Sequence, residues 1–321
     1  MSLISSPLLS HGNLLPNTPS SDLTKAGERK AGIELGRLAA AFSVIVIHQN
    51  PAGYGSQEYI YEGMNQAARW AVPFFFILSG YLMPTNSQWV SVARKYIVRI
   101  GPIFLFWCLM YLLVLGDIFE YVSDFKSLIR LLVTGGPGYH LWFLPSLCVS
   151  IIIALTFLHF QAIRALAVFA SLLFISALAF STYSPAIYGF NPIGFHMRNG
   201  PFFGLIFISL GIIMRKNIIT PKAKTGWLLL FSGAILSASE ILFLYNRYGA
   251  PINKHDFLLG TLPLALGASF IFLDMNIKSH TASRLFRALG AVSLGIYAVH
   301  VYVLYYFTGL CCTNRLRGFI S

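Results

Sequence analysis

Apolar runs separated by short polar clusters dominate the chain, at about 32–50, 68–83, 97–115, 140–158, 163–181, 200–214, 226–245, 257–273 and 288–309. Each is long enough, or nearly so, to cross a hydrocarbon core of about 30 Å as a helix rising about 1.5 Å per residue. The pattern predicts an all-α, polytopic transmembrane helical bundle of about nine spanning helices. The stretch IRLLVTGGPGY at 129–139 is shorter and broken by glycine, and is expected as a re-entrant or interfacial piece. Residues 1–30, rich in Ser, Pro, Asn and Gly, read as a disordered cytoplasmic tail without the apolar core of a cleavable signal, so the first span serves as the insertion signal. The transmembrane domain is expected over 31–310 and a short tail over 311–321. Neither a fixed-period repeat nor an inverted pair of broken helices is visible, which weakens a secondary-transporter reading.

Composition agrees with that pattern. The 321 residues are 56% hydrophobic and only 11% charged, with a mean hydropathy of +0.68; a soluble domain needs far more charge to cover its surface. The net charge of +12 raises the question of nucleic acid, but Lys and Arg fall in short clusters between apolar runs, so no nucleic-acid partner is expected. The clusters set orientation instead. A cytoplasmic N-terminus puts Lys25, Arg29, Lys30, Arg94, Lys95, Arg99, Arg164, Arg215, Lys216, Lys222, Lys224, Lys278, Arg284 and Arg287 inside, against chiefly Lys126, Arg130, Arg198, Arg247, Lys254, Arg315 and Arg317 outside. That is the bias the positive-inside rule demands. The four cysteines, Cys108, Cys148, Cys311 and Cys312, show no C-x-x-C spacing and two lie in apolar runs, which indicates neither a disulfide framework nor a zinc site.

Ionisable side chains inside apolar runs are costly, about 2.5–3.5 kcal/mol for Arg, Lys or Asp, so each asks for a reason. In GRLAAAFSVIVIHQNP, residues 36–51, Arg37 and His48 are eleven positions apart. At about 100° per residue they share one helix face, roughly 16 Å apart in depth. Arg37 reads either as a snorkelling residue at the cytoplasmic edge or as an anchor for an anion; His48 reads as a hydrogen-bonded interior histidine or as a general base. In AARWAVPFFFILSGYLMP, Ser79 either returns its hydroxyl to the preceding turn or, with Gly80, opens room for a ligand. His140 and Trp142 in YHLWFLP are expected near the outer interface, and Tyr297 and His300 in SLGIYAVH share a face near the centre of the last run. Glu240 and the Arg198-Asn199 pair fall on the same side, where a salt bridge between Glu240 and Arg198 is one outcome. There is no G-x-S-x-G elbow, no H-x₄-D signature and no H-x₃-H or H-E-x-x-H metal motif; no metal is expected.

Taken in order, these stretches resemble the acyltransferase-3 family of bacterial integral-membrane O-acyltransferases, which includes surface-polysaccharide and enterobacterial-common-antigen O-acetyltransferases. Arg37 and His48 match the family's Arg and His separated by ten residues in the first helix. VPFFFILSGYLM, RKYIVRIGPIF, YHLWFLP and SLGIYAVH match its later blocks, and Arg198-Asn199-Gly200 with PFFGLIFISLG a block found in part of the family. The resemblance covers about residues 33–305. It implies transfer of an acyl group, most simply acetyl from acetyl-CoA as co-substrate with no permanently bound cofactor, to a hydroxyl of a cell-envelope polysaccharide or lipid-linked glycan. His48 would act as general base, and Arg37 with Arg94 and Arg99 would hold the coenzyme A phosphates. Ser79, Gly80, His140, Trp142, Arg198, Asn199, Glu240, Tyr297 and His300 are pocket candidates. The implied setting is the bacterial inner membrane, multi-pass, among membrane lipids, with homo-oligomerisation left open. The rival reading is a transporter or flippase for a lipid-linked or anionic glycan precursor. Family members usually add a tenth helix after SLGIY, whereas this chain closes on CCTNRLRGFIS, so a nine-span bundle with reduced activity is expected.

Overall fold

The computed structural model describes residues 20–49, 58–84, 88–115, 123–136, 138–190, 196–250 and 255–307. The expected terminal tails at 1–19 and 308–321, with Cys311, Cys312, Arg315 and Arg317, lie outside the described residues, as do Lys254 and the side chains of Lys25, Arg29 and Lys30. The order is α1 (Ser20–Ile47), α2 (Glu58–Ala67), a 3-10 turn (Ala68–Trp70), α3 (Ala71–Tyr81), α4 (Trp89–Leu115) and α5 (Phe125–Thr134). A second 3-10 turn (Tyr139–Trp142) leads into α6 (Phe143–His159), α7 (Ile163–Phe180), the short α8 (Ser184–Tyr188) and α9 (Pro201–Arg215). The chain continues through α10 (Ala223–Tyr248), α11 (Thr261–Asp274), α12 (His280–Ala291) and α13 (Ser293–Phe307).

The fold is all-helical, with no strand among the described residues, and each apolar run carries a helix. Four helical stretches among them are long and apolar enough to cross a bilayer: Trp89–Val114, Tyr139–His159, Ile163–Phe180 and Ala223–Tyr248. His280–Gly290 and Ser293–Leu304, meeting at a 55° bend, make a fifth when taken together. Of the remaining runs, 68–83, 200–214 and 257–273 form shorter helices of 11, 15 and 14 residues that the bundle surrounds, while 32–50 forms the C-terminal part of the 28-residue α1. At 15 residues α9 reaches only about 22 Å, short of a full core, and it is buried almost all round between α3, α6 and α7. The outer helices instead expose helical stripes, such as Leu105, Leu109 and Leu113 on α4 and Leu228, Phe231 and Ile235 on α10. Such stripes suit lipid contact. The 129–139 stretch contributes an amphipathic helix: Asp124 caps α5 by accepting from the Ser127 N–H at 2.9 Å, and Phe125, Leu128, Ile129 and Leu132 are exposed while Leu131 is buried. This is the form of an interfacial piece.

What sets the centre is a backbone-to-backbone crossing of α3 and α9. A Cβ on Gly80 would stand 2.2 Å from the Ile208 carbonyl oxygen, and one on Gly211 would stand 2.0 Å from the Ile77 carbonyl oxygen. Only hydrogen fits at either place, which is how small residues let membrane helices touch. Gly80 is thus a packing position. The same crossing beds Phe76 against Phe143 and Phe203, and so ties α6 to α9.

Gly211→Ala is expected to lower the thermal midpoint of the detergent-solubilised protein by the equivalent of about 1–3 kcal/mol, the usual cost of overpacking. Gly101→Ala, where a methyl group meets open space, should be neutral or slightly stabilising. Equal melting of the two variants would show that the crossing is not tight.

Candidate active site

The site forms where α1 ends. The last four carbonyls of a helix lack intrahelical partners, and here each finds one. Ile45 accepts from the His48 N–H at 3.1 Å, Val46 from Gln49 at 3.3 Å, Ile47 from the Asn65 amide at 2.6 Å, and Val44 from His48 Nδ1 at 2.8 Å. The His48 ring therefore caps its own helix, and lies just past the helix end rather than on a continuing span. A carbonyl only accepts, so this bond puts the ring proton on Nδ1 and leaves Nε2 as the basic nitrogen.

Two more histidines complete a cluster. His300 Nδ1 donates to the Tyr297 carbonyl at 2.6 Å, which leaves its Nε2 an acceptor, and that atom stands 3.0 Å from His48 Nδ1. The His48 Nδ1–H is thus shared between Val44 and His300. The buried His140 places Nε2 3.3 Å from the Ala298 carbonyl, and its Nδ1 has no partner among the described residues. Ring centroids are 4.8 Å apart for His48 and His300, 4.9 Å for His140 and His300, and 6.0 Å for His48 and His140. Tyr139 packs 5.4 Å from His48. The buried Tyr297 hydroxyl donates to the His140 carbonyl, and the Tyr111 hydroxyl donates to Ala298 at 3.0 Å while accepting from the Tyr302 N–H at 3.0 Å. Tyr111 thereby bridges the 302-to-298 rung of α13 and locks that helix against α4. Among the described residues no group of three His, Cys, Asp or Glu side chains is arranged to hold a metal ion.

A charged group borders the cluster. Arg198 Nη1 lies 2.8 Å from Asp256 Oδ1, and Arg69 Nη1 lies 3.4 Å from the same oxygen and 3.1 Å from the Asp256 carbonyl. Burial raises the Asp256 pKa, but Arg198 and Arg69 outweigh it and hold the carboxyl below its usual range. Burial, aided by Arg69, holds His255 below the usual imidazole value. Pro73 supplies no N–H to the Arg69 carbonyl four residues back, so the chain tightens into the 3-10 turn that carries Arg69. Gly200, at φ 65° and ψ −151°, turns the chain into α9 just after Arg198 and Asn199, and its carbonyl accepts from Ser146 at 2.5 Å. The loop bearing Asp256 is pinned just after it: Thr182 donates to the Phe257 carbonyl at 2.5 Å, and Thr261 accepts from the Leu258 N–H at 2.9 Å.

The structure brings together His48, His140, Trp142, Arg198, Asn199, Tyr297 and His300, with the Arg198 guanidinium 5.6 Å from the Trp142 ring centre. His140 is a buried member of the cluster rather than an interfacial residue. It does not bring in Glu240, which accepts from the Leu259 and Gly260 N–H groups at 3.2 and 2.9 Å and from the Tyr183 hydroxyl. Glu240 caps the start of α11, and the expected bridge to Arg198 is replaced by Asp256. The Ser79 hydroxyl returns to the Phe75 carbonyl at 2.7 Å, which is the structural alternative. Arg37 pairs with Glu34 at 2.9 Å, one turn earlier on α1. Arg94 and Arg99 are exposed on α4, and Tyr96 between them lies within electrostatic reach of both Arg37 and Arg99. Missed from sequence were Arg69, Tyr111, Tyr139, His255 and Asp256. Arg69 alone had a clear signal, as an arginine inside the second apolar run.

A histidine cluster, half-buried at His48 and buried at His140 and His300, closes the first helix of the bundle, with Arg37 three turns earlier on that helix. The chain belongs to the acyltransferase-3 family: the model described as an acyltransferase domain matches residues 30–317. Among curated proteins it is similar to a serine/alanine racemase of Enterococcus gallinarum, 26% identical over 296 residues that cover 86% of this chain and 41% of that protein. It is also similar to two amino-acid racemases of Enterococcus faecalis, at 26% identity over 76% of this chain and 28% over 71%. The matched part of the chain spans only 34–41% of these relatives' lengths. No solved structure matches.

Tyr111→Phe removes a buried hydroxyl that serves two backbone groups, and is expected to cost about 1–3 kcal/mol of stability. Thermal melting in detergent reads this directly; a midpoint equal to wild type would mean that α13 closes the rung by itself without loss.

Proposed function

We propose that this chain is a membrane O-acyltransferase that moves an acyl group, most simply acetyl from acetyl-CoA, to a hydroxyl of a cell-envelope polysaccharide or lipid-linked glycan. The observation that carries this reading is the pair of contacts at His48 Nδ1, 2.8 Å from the Val44 carbonyl and 3.0 Å from His300 Nε2. The His48 Nδ1–H is held by Val44 and His300, which presents Nε2 as the base. In the proposed reaction Nε2 takes the acceptor's hydroxyl proton as that oxygen attacks the thioester carbonyl. The carbon–sulfur bond then breaks, and the imidazolium returns the proton to the departing thiolate. His300 acts as a positioning residue, since its Nε2 is the acceptor that fixes the His48 proton. It also stands ready to share the positive charge that His48 gains.

At the other end, Arg37, Arg94 and Arg99 would receive the donor's phosphates. The Arg37–Glu34 pair is a partly exposed i,i+3 contact, a type worth about 0–1 kcal/mol. A phosphate displaces such a carboxylate at little cost, and a guanidinium fork suits it. This reading sets the chain in a bacterial inner membrane with a cytoplasmic N-terminus. A carrier or flippase is the rival, favoured by Arg69 and Arg198, two cations gathered at Asp256 inside the bundle whose charge suits an anionic glycan. The two separate on one measurement, incorporation of label from acetyl-CoA into glycan by membranes bearing the protein; movement of glycan without label would favour the carrier.

His48→Asn keeps an amide donor near Val44 but offers no base. It should lower turnover by about 10²–10⁴ while leaving the melting temperature near wild type. Full turnover in that variant would sink the mechanism. Arg37→Ala should instead raise the Michaelis constant for acetyl-CoA with turnover little changed. For orientation, single cysteines at Lys216 and Lys278 should resist an impermeant thiol reagent in intact cells and react after permeabilisation; labelling in intact cells would reject the cytoplasmic N-terminus.

A further inference from the structure

The Arg198 guanidinium is only half used. Asp256 holds Nη1 at 2.8 Å, and Trp142 packs on its face at 5.6 Å. Nε is buried with no hydrogen-bond partner among the described residues, and so is the neighbouring Asn199 Oδ1. The Nε–Nη2 edge is the fork that grips a carboxylate or phosphate with two parallel bonds. A buried N–H without an acceptor is costly unless something fills its place. Arg198 also lies close enough to His48, Tyr139 and Tyr297 to act on all three electrostatically. An acidic group on this fork would therefore sit beside the proposed base.

We propose that the Nε–Nη2 edge of Arg198, with Asn199, is a binding subsite for an acidic group, a carboxylate or a phosphate, carried by the acceptor. The proposal rests on the acyl-transfer reading for naming that ligand the acceptor, while the subsite itself is read by binding without turnover. Asp256 has a defined part: it orients the guanidinium through Nη1 and keeps the other edge turned to the ligand. Asn199 contributes its side-chain amide to whatever hydroxyl or amine flanks the acid. Trp142 stacks on the planar cation, a contact that a lysine at 198 would not reproduce in the same way.

The test uses the purified full-length protein in detergent and isothermal titration calorimetry with three probes: glucuronate for a carboxylate, glucose 1-phosphate for a phosphate, and glucose as the neutral control. At least one acidic probe should bind about 10- to 100-fold more tightly than glucose, as expected for two charge-assisted hydrogen bonds. Whichever acidic probe binds names the acid. Arg198→Gln should abolish that preference, and Arg198→Lys, which keeps the charge but not the fork, should lose most of it. Asp256→Ala removes the partner that orients the guanidinium through Nη1 and should weaken the preference, so it serves if the Arg198 variants fold poorly. Glucose binding as tightly as both acids would overturn the subsite, as would an unchanged preference in Arg198→Lys or in a well-folded Asp256→Ala. Displacement of the bound acid by acetyl-CoA would assign the fork to the donor instead and refute the acceptor role. Failure of the acyl-transfer reading would show separately, as acidic-probe preference without any incorporation of acetyl label.

Discussion

The rest of the bundle depends on how closely α3 and α9 approach. Gly80 against Ile208 and Gly211 against Ile77 bring two backbones into contact, with no side chain between them. In lipid the hydrophobic effect gives helices no reason to associate, so close packing and buried polar contacts must do so. That crossing fixes both ends of the site. Upstream of α9, the Arg198-Asn199-Gly200 turn is held by Ser146 of α6, and upstream of α3 the 3-10 turn carries Arg69. Both guanidiniums thus meet Asp256 because two helices cannot slide past each other.

The histidine cluster follows from a different constraint, the need to satisfy backbone groups where helices end. His48 closes the carbonyl account of α1, and His300 and His140 each spend one nitrogen on α13 carbonyls. Each ring therefore has one fixed proton and one lone pair. In the proposed reaction such an arrangement would serve structure and chemistry at once. The hydrogen bond that caps a helix also selects the tautomer, so removing the ring removes both, and only a substitution that preserves the donor can separate them.

Legibility in the sequence followed interaction range. The Arg37 and His48 spacing was readable because His48 caps the same helix that carries Arg37, and each apolar run located a helix, while α2 and α8 fall outside the runs. Tyr297 and His300 were readable for the same local reason. What could not be read was pairing across the chain. Arg198 and Glu240 lie on the expected side, yet Asp256 takes the arginine and Glu240 caps α11, because the Thr182 and Thr261 hydroxyls pin the intervening loop. His140, expected at the interface beside a belt tryptophan, is buried because the 3-10 turn at Tyr139–Trp142 folds inward against Tyr111 and Tyr297.

The position of Asp256 also explains why two arginines can stand near neutral histidines. An uncompensated guanidinium beside an imidazole base would oppose the proton that the base must accept, and the low dielectric of the bundle would magnify the effect. The carboxylate draws both Nη1 atoms toward a single oxygen and moderates the field that His48 feels. If an acidic group occupies the remaining fork of Arg198, the compensation becomes more complete when the acceptor binds. His48 would then be a stronger base in the loaded site than in the empty one. Under the proposed reaction, that coupling would tie the basicity of His48 Nε2 to the presence of the molecule it deprotonates, and would keep hydrolysis of the donor slow until the acceptor is in place.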